Sequence, residues 1–138
     1  MVAFLRRSLL RPLLSACLAL ALCFSLTACS GASSLSGNYV DDTVSVANSL
    51  LSTITLAQDD PGRQEAEAQA GSLIKDYVAR YRPRRDVNGL GSFTTMQTAL
   101  NSLAGYYSAY ANRALPDTLR TRLEKELKMA ESGALRGA

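Results

Sequence analysis

A chain of 138 residues with 15 lysines and arginines, 12 acidic residues and no histidine has neither Ser–His nor Cys–His catalysis open to it and lacks the usual ligand of zinc, copper and haem sites. Its net charge of +3 is unevenly placed: three arginines, Arg6, Arg7 and Arg11, fall in the first 28 residues, leaving 12 basic against 12 acidic residues beyond them. That balance argues against nucleic acid as a partner and against a polybasic membrane patch.

The three arginines are followed by an apolar run through Leu13, Leu14, Ala16, Leu22 and Phe24 and then by small residues, the order of an export signal. The run is shorter than the roughly 20 residues of a membrane-crossing helix, and Pro12 stands near its start. It ends on Leu26-Thr27-Ala28-Cys29, which matches the bacterial lipobox, where the thiol receives diacylglycerol and becomes the first residue of the mature chain. Residues 1–28 are therefore expected to be a cleaved signal and Cys29 a lipidation site. Two or more acyl chains, each methylene contributing roughly 0.8 kcal/mol, would hold the protein firmly to a membrane. Arg6-Arg7 before Ser8-Leu9-Leu10 also resembles a twin-arginine signal, although Leu5 stands where a polar residue is usual. Cys17 and Cys23 leave with the signal, so no internal disulfide is expected. Beyond the covalent lipid on Cys29, no cofactor is expected.

Residues 29–38 are small and polar, the composition of a flexible tether. Residues 39–138 read as one domain of four helices. In the first, Val40, Val44, Ala47, Leu51 and Ile54 recur at helical spacing, Asn38 can cap the start, and Asp41 and Asp42 suit the positive end of the dipole. The second spans about residues 63–82, with Asp60 as cap and Pro61 in the first position; Ala66, Ala70, Leu73, Tyr77 and Tyr81 share a face, and Pro83 ends it. After Asn88-Gly89-Leu90-Gly91, Ser92 is placed to cap a third helix carrying Phe93, Met96, Leu100, Leu103 and Tyr107 inward. Residues 112–116 connect it to a fourth, with Leu119, Leu123, Leu127 and Ala130 inward and an outer ladder of Arg120-Glu124, Arg122-Glu126 and Glu124-Lys128. No alternating strand pattern occurs, and short connections make neighbours antiparallel. The fold class is all-α, an antiparallel up-down-up-down four-helix bundle.

Each candidate site has a plainer reading beside it. Arg80, Arg82, Arg84 and Arg85 could dock an acidic surface or simply satisfy the end of a helix. Tyr106, Tyr107 and Tyr110, with Tyr77 and Tyr81, could anchor an interface, but helical spacing puts at least half of them in the core, with Tyr106 and Tyr110 the better candidates for exposure. Asp41-Asp42 and Asp59-Asp60 lack the loop spacing of an ion site, so no metal is assigned. Gly89-x-Gly91 has no preceding strand and reads as a turn.

Residues 93–116, FTTMQTALNSLAGYYSAYANRALP, resemble the signature of the small photosystem II assembly and repair lipoproteins, the Psb27 family, and residues 37–43, GNYVDDT, resemble that family's entry into its first helix. The resemblance spans the mature domain and the lipobox. It implies a monomeric, non-catalytic bundle on the lumenal side of the thylakoid membrane. Such a factor binds the lumenal face of the smaller chlorophyll-carrying core antenna subunit in immature or damaged photosystem II, and keeps the extrinsic oxygen-evolution proteins away until the manganese cluster is built. This chain departs from the family pattern at Tyr106, where histidine is usual, and at Ala111 and Ala114, where proline is usual. Exposed tyrosine and arginine dominate interface energetics, so Tyr106, Tyr110, Asn112 and Arg113, with Arg84 and Arg85 nearby, are the expected partner contact. A general envelope lipoprotein scaffold unrelated to photosynthesis is the alternative. A hydrolase built on two carboxylates needs both in one cleft, whereas the acids here fall at helix starts and on the outer ladder.

Overall fold

The computed structural model describes residues 34–138; the leader, Cys29 and the first part of the tether lie outside them. Helix α1 (Tyr39–Ile54) begins where Asn38 takes an extended backbone and its side-chain oxygen accepts the N–H groups of Val40 (3.0 Å) and Asp41 (3.3 Å), two donors without intrahelical partners. Helix α2 (Arg63–Tyr81) stops just before Pro83, α3 (Gly91–Ala109) follows a run of tight turns, and α4 (Asp117–Leu135) starts directly after Pro116. Among the described residues these four helices pack in a ring, α1 on α2, α2 on α3, α3 on α4 and α4 on α1, with no strand. This is the antiparallel up-down-up-down bundle expected, and none of its helices is long and apolar enough to cross a membrane.

The inward rows of α3 and α4 are buried nearly as read: Phe93, Met96, Leu100 and Leu103 on α3, and Leu123, Leu127 and Ala130 on α4. Helix α1 is turned relative to the expected row. Its buried face is Tyr39, Asp42, Thr43, Val46, Ala47, Leu50 and Ile54, while Val40, Val44 and Leu51 lie at the margins. Polar side chains at the top of α1 decide this rotation. Thr43 Oγ1 donates to the Tyr39 carbonyl (2.6 Å) and bonds the Tyr77 hydroxyl (2.7 Å), and the Tyr39 hydroxyl bonds Ser92 Oγ (2.8 Å). Tyr39, Tyr77, Tyr81 and Phe93 form one aromatic cluster, with centroids 4.9 to 6.3 Å apart. Tyr77 and Tyr81 are fully buried and are core, not interface.

Two expected caps move. Asp60 does not cap α2: its Oδ1 accepts the Gly62 N–H (2.8 Å) in a turn before the helix, and Gly62 takes the cap position without a side-chain bond. Ser92 lies inside the first turn of α3, buried, its N–H bonded to the Ala138 carbonyl (3.2 Å), and Leu90 precedes the helix instead. On the surface of α4, Arg122 pairs with Glu126 (3.5 Å), but Arg120 turns back to Asp117 (2.7 Å) instead of forward to Glu124. The tether is also shorter than its composition suggests, because Leu35 is buried and Ser36 and Gly37 are bonded to Asp42.

Candidate partner-docking surface

The sequence places six residues in a partner contact, and the bundle divides them between its two ends. Arg84 and Arg85 follow the C-terminus of α2, beside the start of α1. Tyr106, Tyr110, Asn112 and Arg113 surround the connection from α3 to α4, beside the start of α2. A helix of 19 residues is about 28 Å long, so these sets form two surfaces, and the expected proximity of Arg84 and Arg85 to the tyrosines does not hold.

At the α3–α4 end the connection is fixed from beneath. Arg63, only 5% exposed, donates from Nη1 to Glu67 (2.6 Å), from Nε to the Gln58 carbonyl (3.2 Å) and from Nη2 to the Asn112 carbonyl (3.1 Å). Gln58 joins the same knot, its Nε2 donating to the Asn112 carbonyl (3.2 Å) and its Oε1 accepting the Ala114 N–H (2.6 Å). A proline at 114 would lack that donor, so the departure from the family pattern at Ala114 is used here. Asn112 takes the left-handed backbone conformation (φ 67°) that asparagine tolerates, and its Oδ1 accepts from Gln64 Nε2 (2.6 Å). Buried charge is tolerated because every arm of the Arg63 guanidinium has an acceptor.

What this frame presents outward is narrower than the expected set. Tyr106 is half-buried, its ring tilted against that of Tyr110 with centroids 5.0 Å apart, and it donates its hydroxyl to the Ala114 carbonyl (2.9 Å). Asn112 has both its oxygens engaged. Tyr110, 50% exposed, Arg113 and Asn112 itself are exposed at this tip. Behind them the Tyr107 hydroxyl is buried with no hydrogen-bond partner among the described residues, and burial first, then the nearby Glu67 charge, push its pKa well up despite the opposing Arg63.

At the opposite end Arg84 is occupied. Its guanidinium pairs with Asp86 (2.6 Å), reaches the Gly37 carbonyl (3.3 Å) and lies over the Tyr81 ring, 5.3 Å from the centroid. Arg80, Arg82 and Arg85 are exposed there. The Asp41-Asp42 pair is split, Asp41 outward and Asp42 buried among four donors, which leaves no paired acidic site.

Sequence reasoning missed one further surface. An open groove of about 820 Å³ between α3 and α4 is lined by Thr95, Thr121, Lys125, Lys128, Met129 and Arg136. Met129, 48% exposed, is apolar yet stands off the inward row of α4, a signal that a helical-wheel reading of that segment carries.

The family model Photosystem II Pbs27 matches residues 6–133. The chain belongs to that family. It is 47% identical over 136 residues to the Photosystem II lipoprotein Psb27 of Synechocystis sp., covering 99% of each chain. To the Photosystem II assembly factor lipoprotein Psb27 of Thermosynechococcus vestitus it is 46% identical over 107 residues, 77% of this chain and 80% of the relative. The solution structure of Psb27 from cyanobacterial photosystem II superposes with a TM-score of 0.75 at 49% identity, covering 80% of this chain and 96% of the other. The Synechocystis match runs through the expected leader and Cys29.

Proposed function

We propose that the chain is a lipid-anchored, non-catalytic assembly and repair factor of photosystem II. Held through Cys29 on the lumenal side of the thylakoid membrane, it acts as a monomer. It binds the smaller chlorophyll-carrying core antenna subunit of immature or damaged complexes and holds off the extrinsic oxygen-evolution proteins until the manganese cluster is in place. The observation that carries the reading is a tip whose connecting loop is held by bonds from Arg63, Gln58 and Gln64, so that Tyr110 and Arg113 are offered to a partner without reordering the loop beneath them.

The physical logic fits a factor that must later leave. A small contact surface gives modest affinity, and anchoring to the partner's own membrane raises local concentration enough for modest contacts to suffice. Family membership and the relatives' names support the photosystem II assignment, and the full-length match with a lipoprotein supports lipid on Cys29. Affinity purification of the tagged mature form from thylakoids, with mass spectrometry of the bound subunits, should recover the antenna subunit. Arg113→Glu should abolish most of that recovery while leaving thermal stability unchanged. Undiminished recovery with the variant would remove the tip from the interface.

A further inference from the structure

Ser34 sits in the groove between α1 and α2, beside Ser49, Ser52 and Thr53 of α1 and Gln69 of α2. The segment that leads from it to α1 is held down along its length. Leu35 is buried, the Ser36 N–H and hydroxyl both donate to Asp42 Oδ1 (2.7 Å each), and the Gly37 N–H donates to Oδ2 (2.9 Å). Gly37 adopts φ +92°, and a Cβ there would also meet Arg80 Nη1 at 3.1 Å, so the turn is reserved for glycine. The lead-in therefore runs back along the α1/α2 groove, and the chain leaves the fold at Ser34, part-way down that side.

Only four residues then separate Ser34 from Cys29, five steps of chain that span at most about 18 Å fully drawn out. The bundle is two helix layers deep, about 20 Å through. Turning α3 and α4 toward the bilayer would put that thickness between Ser34 and the headgroups and leave the tether no slack. Beyond Asp41 in its first turn, the exposed residues of α1 are the uncharged Ser45, Asn48, Ser49 and Ser52, which can approach uncharged headgroups without stripping water from an ion.

We propose that the α1/α2 side is a membrane-apposed surface, resting on the headgroups of the bilayer that holds the lipid, and that the α3/α4 groove points away into the aqueous phase. This rests on lipid being attached at Cys29, and it adds an orientation that the anchor alone does not specify. The test uses the lipoprotein purified from membranes, its Cys29 lipid established by mass spectrometry, and reconstituted in phosphatidylcholine vesicles containing headgroup spin-labelled lipid. A fluorophore on Ser52→Cys should be quenched several-fold more than one on Thr121→Cys. A Gly/Ser insertion before Ser33 that lengthens the tether should reduce the difference. Equal quenching at the two positions, or stronger quenching at Thr121→Cys, overturns the orientation in a lipidated chain. A Cys29 without lipid overturns the proposal together with its premise. Photosystem II takes no part in the assay, so its result is independent of the affinity purification.

Discussion

Replacing Asp42 with alanine removes one side chain on which three parts of the molecule converge. The carboxylate accepts from the Tyr81 hydroxyl of α2 and from three donors on Ser36 and Gly37 of the lead-in. The Tyr81 hydroxyl belongs to a fully buried side chain, and stranding it costs about 1–3 kcal/mol. The lead-in donors can turn to water only if that segment lifts off, which forfeits the burial of Leu35, about 1.5–3 kcal/mol. The released residues regain about 1–2 kcal/mol each of backbone freedom, which offsets much of the loss on that side. The net destabilisation is then set by Tyr81, at about 1–3 kcal/mol. Urea unfolding measures it, and hydrogen exchange at the Gly37 amide should accelerate in Asp42→Ala. The effect has a definite pH dependence. Burial is the largest influence on Asp42 and raises its pKa, but the bonds from Tyr81, Ser36 and Gly37 together outweigh it and hold the carboxyl below its ordinary value. A depressed carboxyl stabilises the fold above the unfolded value of about 4, and that stabilisation is lost as pH falls through the folded value. Parent and variant should therefore converge in acid. Equal stability at neutral pH, or a gap that persists undiminished in acid, would refute the reasoning.

Tyr107→Phe removes a buried hydroxyl without a partner among the described residues and should leave stability unchanged or raise it by about 1 kcal/mol in urea unfolding; a clear loss would show that the hydroxyl is bonded. Gly133→Ala would place a Cβ 3.0 Å from Ser92 Cβ where α4 crosses the start of α3, and calorimetry should register a cost of about 1–3 kcal/mol. Burial before any other influence raises the pKa of Tyr77, Tyr81 and Tyr107, so these side chains keep their protons beyond about pH 10, where unfolded tyrosine ionises. Stability should thus fall as pH rises past that point, with tyrosinate absorbance appearing together with loss of the helical signal. Tyr110→Ala should weaken photosystem II recovery while changing stability by no more than about 0.5 kcal/mol.

Helix number, order and most boundaries could be read without coordinates because their determinants are local. Asn38 caps α1 through bonds to residues two and three positions on, and Pro83 ends α2 by restricting the residue before it. The rows of α3 and α4 are legible because they contrast clearly with polar neighbours. Helix α1 offers no such contrast. Val40, Val44, Val46, Leu50 and Leu51 surround much of its girth, so periodicity alone could not choose its inward face.

What the chain order does not reveal is which polar groups find one another across it. Tyr39 meets Ser92 and Thr43 meets Tyr77 over separations of 53 and 34 residues, and Arg63 is buried because Asn112, 49 residues away, lies above it. The same holds for Arg84 and Arg85, which share a chemistry with Arg113 but stand a helix length from it. Sequence by itself determined the helices and the family pattern, since each is encoded within a few consecutive turns of chain. Only tertiary structure decided the rotation of α1, the docking of the lead-in and the half-burial of Tyr106 at the tip, because a buried polar group takes its place from distant partners that satisfy it.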